Sequence, residues 1–287
     1  MNNKQWTAFC SFRDDFKAQV ALLEKMLAEA KLDKVFASYQ RELALEDNVP
    51  PYEIETPLVY NTALDSITKD NNIKLIVIGD NPGKDEQLAK NRRYLVGQSG
   101  KLAEGFFKNA PELDIDFRKD TLILNKTFIH TAKTKELKKL KKKPINLCIE
   151  SLYKDKDEVF ANDCFATILE DSQIWMAKRT VQLHKELCLA ANNDSQSVPC
   201  KLWIIGYSEL KNRGIFNSYA QTITKQYTEC LKNKNTDLSI ADSVFVFQHF
   251  SMNRFLIDLR SHSNKDMSLK QNLENLGRLH RKEILSF

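Results

Sequence analysis

The chain has 287 residues, 42% hydrophobic and 9% aromatic, with 43 Lys and Arg against 38 Asp and Glu for a net charge of +5. That composition belongs to a folded chain long enough to bury a real core, and it excludes wholesale disorder. No apolar run approaches the ~18 residues that span a bilayer, and no apolar stretch follows the first basic residue, Lys4, so the expected address is cytoplasmic with no membrane partner.

Residues 12 to about 46 carry Phe16, Val20, Leu22, Leu23, Met26 and Leu27 at helical spacing and predict a helix. Pro50, Pro51 and Pro57 then break the pattern. Residues 1–65 therefore read as a helical N-terminal extension and 66–287 as an α/β domain, the whole forming one globular unit. Four short apolar segments follow, at 73–78, 121–125, 202–205 and 243–247. They are continuous rather than alternating, which suits strands buried on both faces of a parallel sheet. Helices are expected after Ser99, over 172–191 and over 268–285. The fold class is α/β, with three α/β/α layers around a central, mainly parallel four-stranded sheet. In such sheets ligands sit at the carboxyl ends of the strands.

Glycine is scarce, eight in all, and five of them (Gly79, Gly83, Gly97, Gly100 and Gly105) fall within one short window. A chain so sparing with glycine spends it where backbone bends tightly or approaches a ligand. The six cysteines form no CxxC pair and have no histidine at ligand spacing, so no metal or iron–sulfur cluster is expected. They are expected to be reduced and mostly buried.

The first strand runs into Gly79-Asp80-Asn81-Pro82-Gly83-Lys84-Asp85-Glu86. A phosphate-binding P-loop needs four residues between its glycines and Ser or Thr after the Lys; here there are three, and Asp85 would repel phosphate. Downstream lies Tyr94-Leu95-Val96-Gly97-Gln98-Ser99-Gly100-Lys101-Leu102. The second strand ends in Asn125, and the fourth runs into Gln248-His249-Phe250-Ser251-Met252-Asn253-Arg254.

Taken together and in this order, these segments resemble the motifs of the uracil-DNA glycosylase superfamily over roughly residues 73 to 255. The resemblance implies a monofunctional glycosylase that flips uracil, or a related deaminated base, out of DNA and hydrolyses its N-glycosidic bond in base excision repair. It implies that Asn81 holds the attacking water, with Asp80 as the alternative. His249 would bond the uracil O2, and the Asn125 amide would read the uracil edge. Gly79, Pro82, Gly83, Tyr94 and Leu95 would shape the base pocket. Ser99, Lys101, Ser251, Met252, Asn253 and Arg254 would meet DNA, the last three as wedge and phosphate contacts. No cofactor is implied, and a monomer is expected.

Three departures stand out. Phe250 replaces the family's proline, Leu95 stands where an aromatic usually stacks on the base, and the cluster cysteines are absent. With Leu95 replaced in this way, Tyr94 or Phe106 would have to stack on the base. The first two departures support an alternative, a catalytically silent DNA-binding protein of the same fold. From Lys133 to Lys143 seven lysines and one glutamate give a local +6, and Lys138, Lys139, Lys141 and Lys142 are expected to contact the phosphates of single- or double-stranded DNA.

Overall fold

Residues 1–149, 160–191, 199–232 and 238–287 are described by the computed structural model. Along them run α1 (Asn3–Glu29), α2 (Asp33–Glu46), β1 (Leu75–Gly79), α3 (Gln98–Lys108), β2 (Thr121–Asn125), α4 (Glu136–Leu140), β3 (Pro144–Ile149), β4 (Phe160–Cys164), α5 (Ala166–Ala191), β5 (Lys201–Ile205), α6 (Tyr207–Leu210), α7 (Asn217–Lys232), α8 (Leu238–Asp242), β6 (Val244–Phe247), α9 (Arg254–His262) and α10 (Leu269–Leu285).

Four of the strands form the expected sheet, in the order β2-β1-β5-β6 and parallel throughout. Strands β1, β2 and β6 are buried at every residue, which is why their sequences run apolar without alternation. On one face Trp203, Phe245 and Phe247 meet α3, α9 and α10 through Phe107, Phe255 and Gly277. A methyl group on Gly277 would lie 2.7 Å from Phe245 and Phe247, so the mid-helix glycine lets α10 lie directly on β6. Helices α1 and α7 each pack on α5 in the opposite layer. The fold is a three-layer α/β/α sandwich.

The expected single helix over 12–46 is two. A capping box between Asn2 and Gln5 opens α1, and its stripe of Phe9, Phe12, Phe16, Val20, Leu23 and Leu27 is buried. The chain then reverses at Lys31, whose φ of 59° is left-handed. No proline or glycine marks the break; burial of Phe36 and Leu43 on the α2 side sets it. These residues join the same core as the sheet, with Phe16 ringed by Tyr60, Phe128 and Trp175. The antiparallel pair β3–β4 and helices α7 and α9 were not anticipated from sequence periodicity.

No helix among the described residues is long and apolar enough to cross a membrane. Cys188 and Cys200 are buried thiols and Cys10 is half-buried, all three free. The side chains of Cys148, Cys164 and Cys230 lie outside the described residues. Among the described residues no cluster of three His, Cys, Asp or Glu side chains is arranged to hold a metal.

Candidate functional site

The carboxyl ends of the parallel strands bring together Asp80 after β1, Asn125 and Lys126 at the end of β2, Gly206 after β5 and His249 after β6. Lys126 is 0% exposed, and its ammonium donates to Asp80 Oδ1 at 2.6 Å, to the Gly79 carbonyl at 3.1 Å and to the Ile205 carbonyl at 2.5 Å. An ammonium has three N–H donors and all three are used. Burial lowers the Lys126 pKa, while the Asp80 carboxylate acts against that fall. Gly206 closes the far side of Asp80. Its φ of 93° disfavours any side chain, and a methyl there would lie 2.3 Å from Asp80 Oδ1.

Asn125 is 2% exposed and packs its Oδ1 against Gly79, where a methyl would lie 2.4 Å from that oxygen. Its Nδ2 is buried without a hydrogen-bond partner. An unmet buried donor costs about 1–3 kcal/mol.

Asn81 turns the other way. Its Nδ2 donates to the Thr131 hydroxyl and carbonyl at 2.9 and 3.3 Å and to the Pro82 carbonyl at 3.2 Å, and its Oδ1 accepts from the Thr134 hydroxyl at 3.0 Å. Both ends of the amide are committed to holding the turn. Beneath the turn, buried His130 donates Nδ1–H to the Pro82 carbonyl at 2.9 Å and takes the Tyr52 hydroxyl on Nε2 at 2.8 Å. Burial depresses its pKa to about 4. His184, fully buried between Tyr227 and the Cys200 carbonyl, is likewise pushed down to about 4 by burial.

These two imidazoles make an acid-stability prediction. Both stay neutral in the fold to about 4, whereas in the unfolded chain they bind a proton near pH 6.5. Their contribution is therefore complete above 6.5 and is lost as pH falls from 6.5 towards 4, by about 1 kcal/mol per pH unit for each imidazole. Urea midpoints measured across that window should fall with pH, and His130→Asn should make the fall shallower. An equal slope in both proteins would show that His130 does not titrate on unfolding.

Glu86 was not anticipated as a site residue. Its buried carboxylate accepts from the Gly83 N–H at 3.1 Å and the Leu95 N–H at 2.6 Å, tying the first motif to the second. Burial pushes this carboxyl up to about 7, against the backbone N–H groups that pull it down. The structure corrects two expectations for the base pocket. Tyr94 is fully buried with its hydroxyl on the Val59 carbonyl, so its ring cannot stack on a base. Leu95 is buried with a left-handed φ of 52°, its carbonyl held by Arg118 at 2.7 Å. Phe106 is committed to packing with Phe107, Phe250 and Phe255. Pro82 is buried and Gly83 half-buried in the turn, while Ser99 and Lys101 occupy the first turn of α3.

The His249 loop is shaped by Phe250, which leaves solvent and stacks on Phe255 at 4.3 Å between ring centroids. That burial anchors the loop where a proline would stiffen it. The Ser251 backbone N–H donates to His249 Nδ1 at 3.1 Å, and the Ser251 hydroxyl is 2.9 Å from the same nitrogen. A backbone N–H only donates, so Nδ1 is unprotonated and the neutral ring carries its hydrogen on Nε2. Burial lowers the His249 pKa; Asp80 acts against this, and Lys126 and Arg254 reinforce it. At the tip, Met252 and Asn253 both adopt left-handed φ, and Met252 is 69% exposed.

Five of the seven lysines in the run pair with carboxylates from other elements. Lys135 and Lys139 pair with Asp47, Lys139 also with Glu46, Lys138 with Glu209, Lys141 with Glu170 and Lys143 with Glu42. Lys133 donates to the Asp47 carbonyl, leaving Lys142 without such a partner among the described residues. Replacing Lys138, Lys139, Lys141 and Lys142 with Gln should therefore change the log–log salt slope of DNA binding by about 0.9 or less, one phosphate contact at most. A change near 3 would show that all four leave their carboxylates for DNA.

A cavity of about 600 Å³ lies at the other end of the sheet, lined by Ile73, Lys74, Trp203, Phe245, Lys270 and Glu274. It belongs to the amino ends of the strands and shares no residue with the site. Lys126, Glu86 and His130 escaped the sequence reading. The available signals were the position of Lys126 next to a strand-end Asn and of Glu86 three residues after a turn glycine. Comparison with known proteins finds no matching family model, no matching characterised protein and no matching solved structure.

Proposed function

We propose that the carboxyl edge of the sheet is the base pocket of a DNA glycosylase acting on uracil or a related deaminated base. The observation that carries this reading is the buried Asn125 amide, whose Nδ2 lacks a partner at the strand edge that also carries Asp80. A flipped uracil would place its O4 on that donor and its N3–H on Oδ1, removing the cost of the unmet group. Asp80, held as one half of an ion pair with a buried ammonium, has the charge to orient water and to face the positive charge that develops on the sugar. Neutral His249, with Nε2–H available, would donate to the uracil O2 as negative charge grows on the leaving base. Exposed Met252 on its strained loop tip is the wedge that fills the vacated stack. DNA is the partner on this reading, and the chain needs no cofactor for these steps.

The test is direct. The purified chain is incubated with oligonucleotides carrying one uracil, single-stranded, opposite G or opposite A, and the products are cut with alkali. Strand scission at the uracil is expected on at least one of them; intact strands on all three, and on hypoxanthine and xanthine equivalents, would refute the enzyme reading and leave a DNA-binding role.

A further inference from the structure

We propose that Lys126 is a positioning residue that fixes Asp80 as an aimed carboxylate beside the His249 loop, an inference that rests on the function proposed above.

Three acceptors surround the Lys126 nitrogen, namely Asp80 Oδ1, the Gly79 carbonyl closing β1 and the Ile205 carbonyl closing β5. A neutral amine has two N–H groups and would leave one acceptor unmet, so the arrangement requires the ammonium. Buried charge at this depth is tolerated only when paired and fully bonded, and Asp80 is the anion that pairs it. The lysine thereby ties two neighbouring strand ends to one carboxylate.

Geometry then divides the two oxygens of Asp80. Oδ1 is enclosed between the Lys126 ammonium at 2.6 Å and the Gly206 backbone, which comes so near that a methyl would lie 2.3 Å away. The buried Phe216 ring lies 4.9 Å from the ammonium and helps to keep water from it. Oδ2 has neither contact and is the oxygen left to receive a water. A fixed carboxylate costs no reorganisation when the reaction begins, which is where such groups gain their effect.

The second consequence is electrostatic. The charged groups acting on this pair and on His249 are Glu209 towards Lys126 and Arg254 towards His249. Asp80 favours protonation of His249, and Lys126 and Arg254 oppose it. Removing the Lys126 charge would leave Asp80 unbalanced, and the imidazole would take up a proton more readily. An imidazolium still donates from Nε2, but Nδ1 would then also carry hydrogen and could no longer accept the Ser251 N–H.

The experiment has two readouts on the full chain. The first follows the His249 ring carbon resonance by NMR titration in wild type and Lys126→Gln. An upward displacement of the midpoint by about one pH unit is expected; an unchanged midpoint in a folded variant overturns the proposal. The second is uracil excision in a double-mutant cycle with Asp80→Asn. Lys126→Gln alone should lower the rate about 10- to 100-fold and move the acid limb of the pH profile upwards. In the Asp80→Asn background it should lower the rate by about 2-fold or less, because the lysine acts through the residue already removed. Independent, multiplying losses overturn the proposal. Should Lys126→Gln not fold, the cycle runs between Asp80→Asn and Asp80→Asn with Lys126→Met, in which both charges leave together, and a further loss of rate again counts against it. A wild-type chain that leaves every uracil intact refutes the glycosylase reading, and the titration still decides whether Lys126 controls His249.

Discussion

Asp80→Asn is expected to lower uracil excision about 10³-fold, equivalent to about 4 kcal/mol of barrier, at temperatures where the variant is folded. The substitution keeps an oxygen to accept from Lys126 and changes little in volume, but it leaves the buried ammonium without its anion, which should cost about 3–5 kcal/mol of stability. What disappears is the charge that orients water and faces the developing cation on the sugar. Asn81→Ala should differ in its rate. Its amide holds Thr131, Thr134 and the Pro82 carbonyl, and their loss should cost about 1–3 kcal/mol of stability while excision stays within about 10-fold of wild type at temperatures where the variant is folded. Steady-state excision and urea denaturation on both variants separate the cases. A large rate loss in Asn81→Ala with unchanged Asp80→Asn would return the water-holding role to Asn81, the ranking favoured by the sequence motif.

Asn125→Asp should abolish uracil excision by at least ~10²-fold at pH 8, about 2.7 kcal/mol of barrier. The substitution exchanges the unmet donor for a second acceptor and sets it against uracil O4. Burial would resist ionisation of the new carboxyl. Protonated, it regains an O–H donor, so the loss should be smaller at pH 6 than at pH 8. Cytosine presents N4–H₂ at the equivalent position, and a gain of cytosine excision is expected with the ionised form. Equal uracil rates in wild type and variant at both pH values would remove Asn125 from base reading.

The strands were legible in the sequence because continuous apolar runs such as Leu75 to Ile78 and Val244 to Phe247 have few other uses in a chain of this charge. Asp80 and Asn125 are the first polar residues after such runs and His249 follows Gln248; the resemblance of their motifs, rather than the pattern, singled them out. What escaped depends on partners far along the chain. Lys126 reads as an ordinary surface cation until the Ile205 carbonyl and Asp80 are brought around it. The lysines of the 133–143 run look free because their carboxylates, Glu42, Glu46, Asp47, Glu170 and Glu209, come from other elements. Tyr94 belongs to a motif whose aromatic position suggests stacking, yet a core vacancy next to Val59 takes the ring. The turn at Lys31 carries no sequence punctuation at all, since the packing of two apolar helix faces decides it.

The ring of aromatic side chains around Phe16 has a consequence for biosynthesis. Helix α1 leaves the ribosome before the other described elements, but Trp175, one of the partners of Phe16, follows roughly 160 residues later. At about 5–20 residues per second that interval is roughly 10–30 s. Throughout it, the apolar stripe that runs from Phe9 to Leu27 has no α5 to lie against. Newly made chains are therefore expected to depend on a holding chaperone early in synthesis, and slow codons placed before α5 should lower the yield of folded protein more than the same codons placed after it.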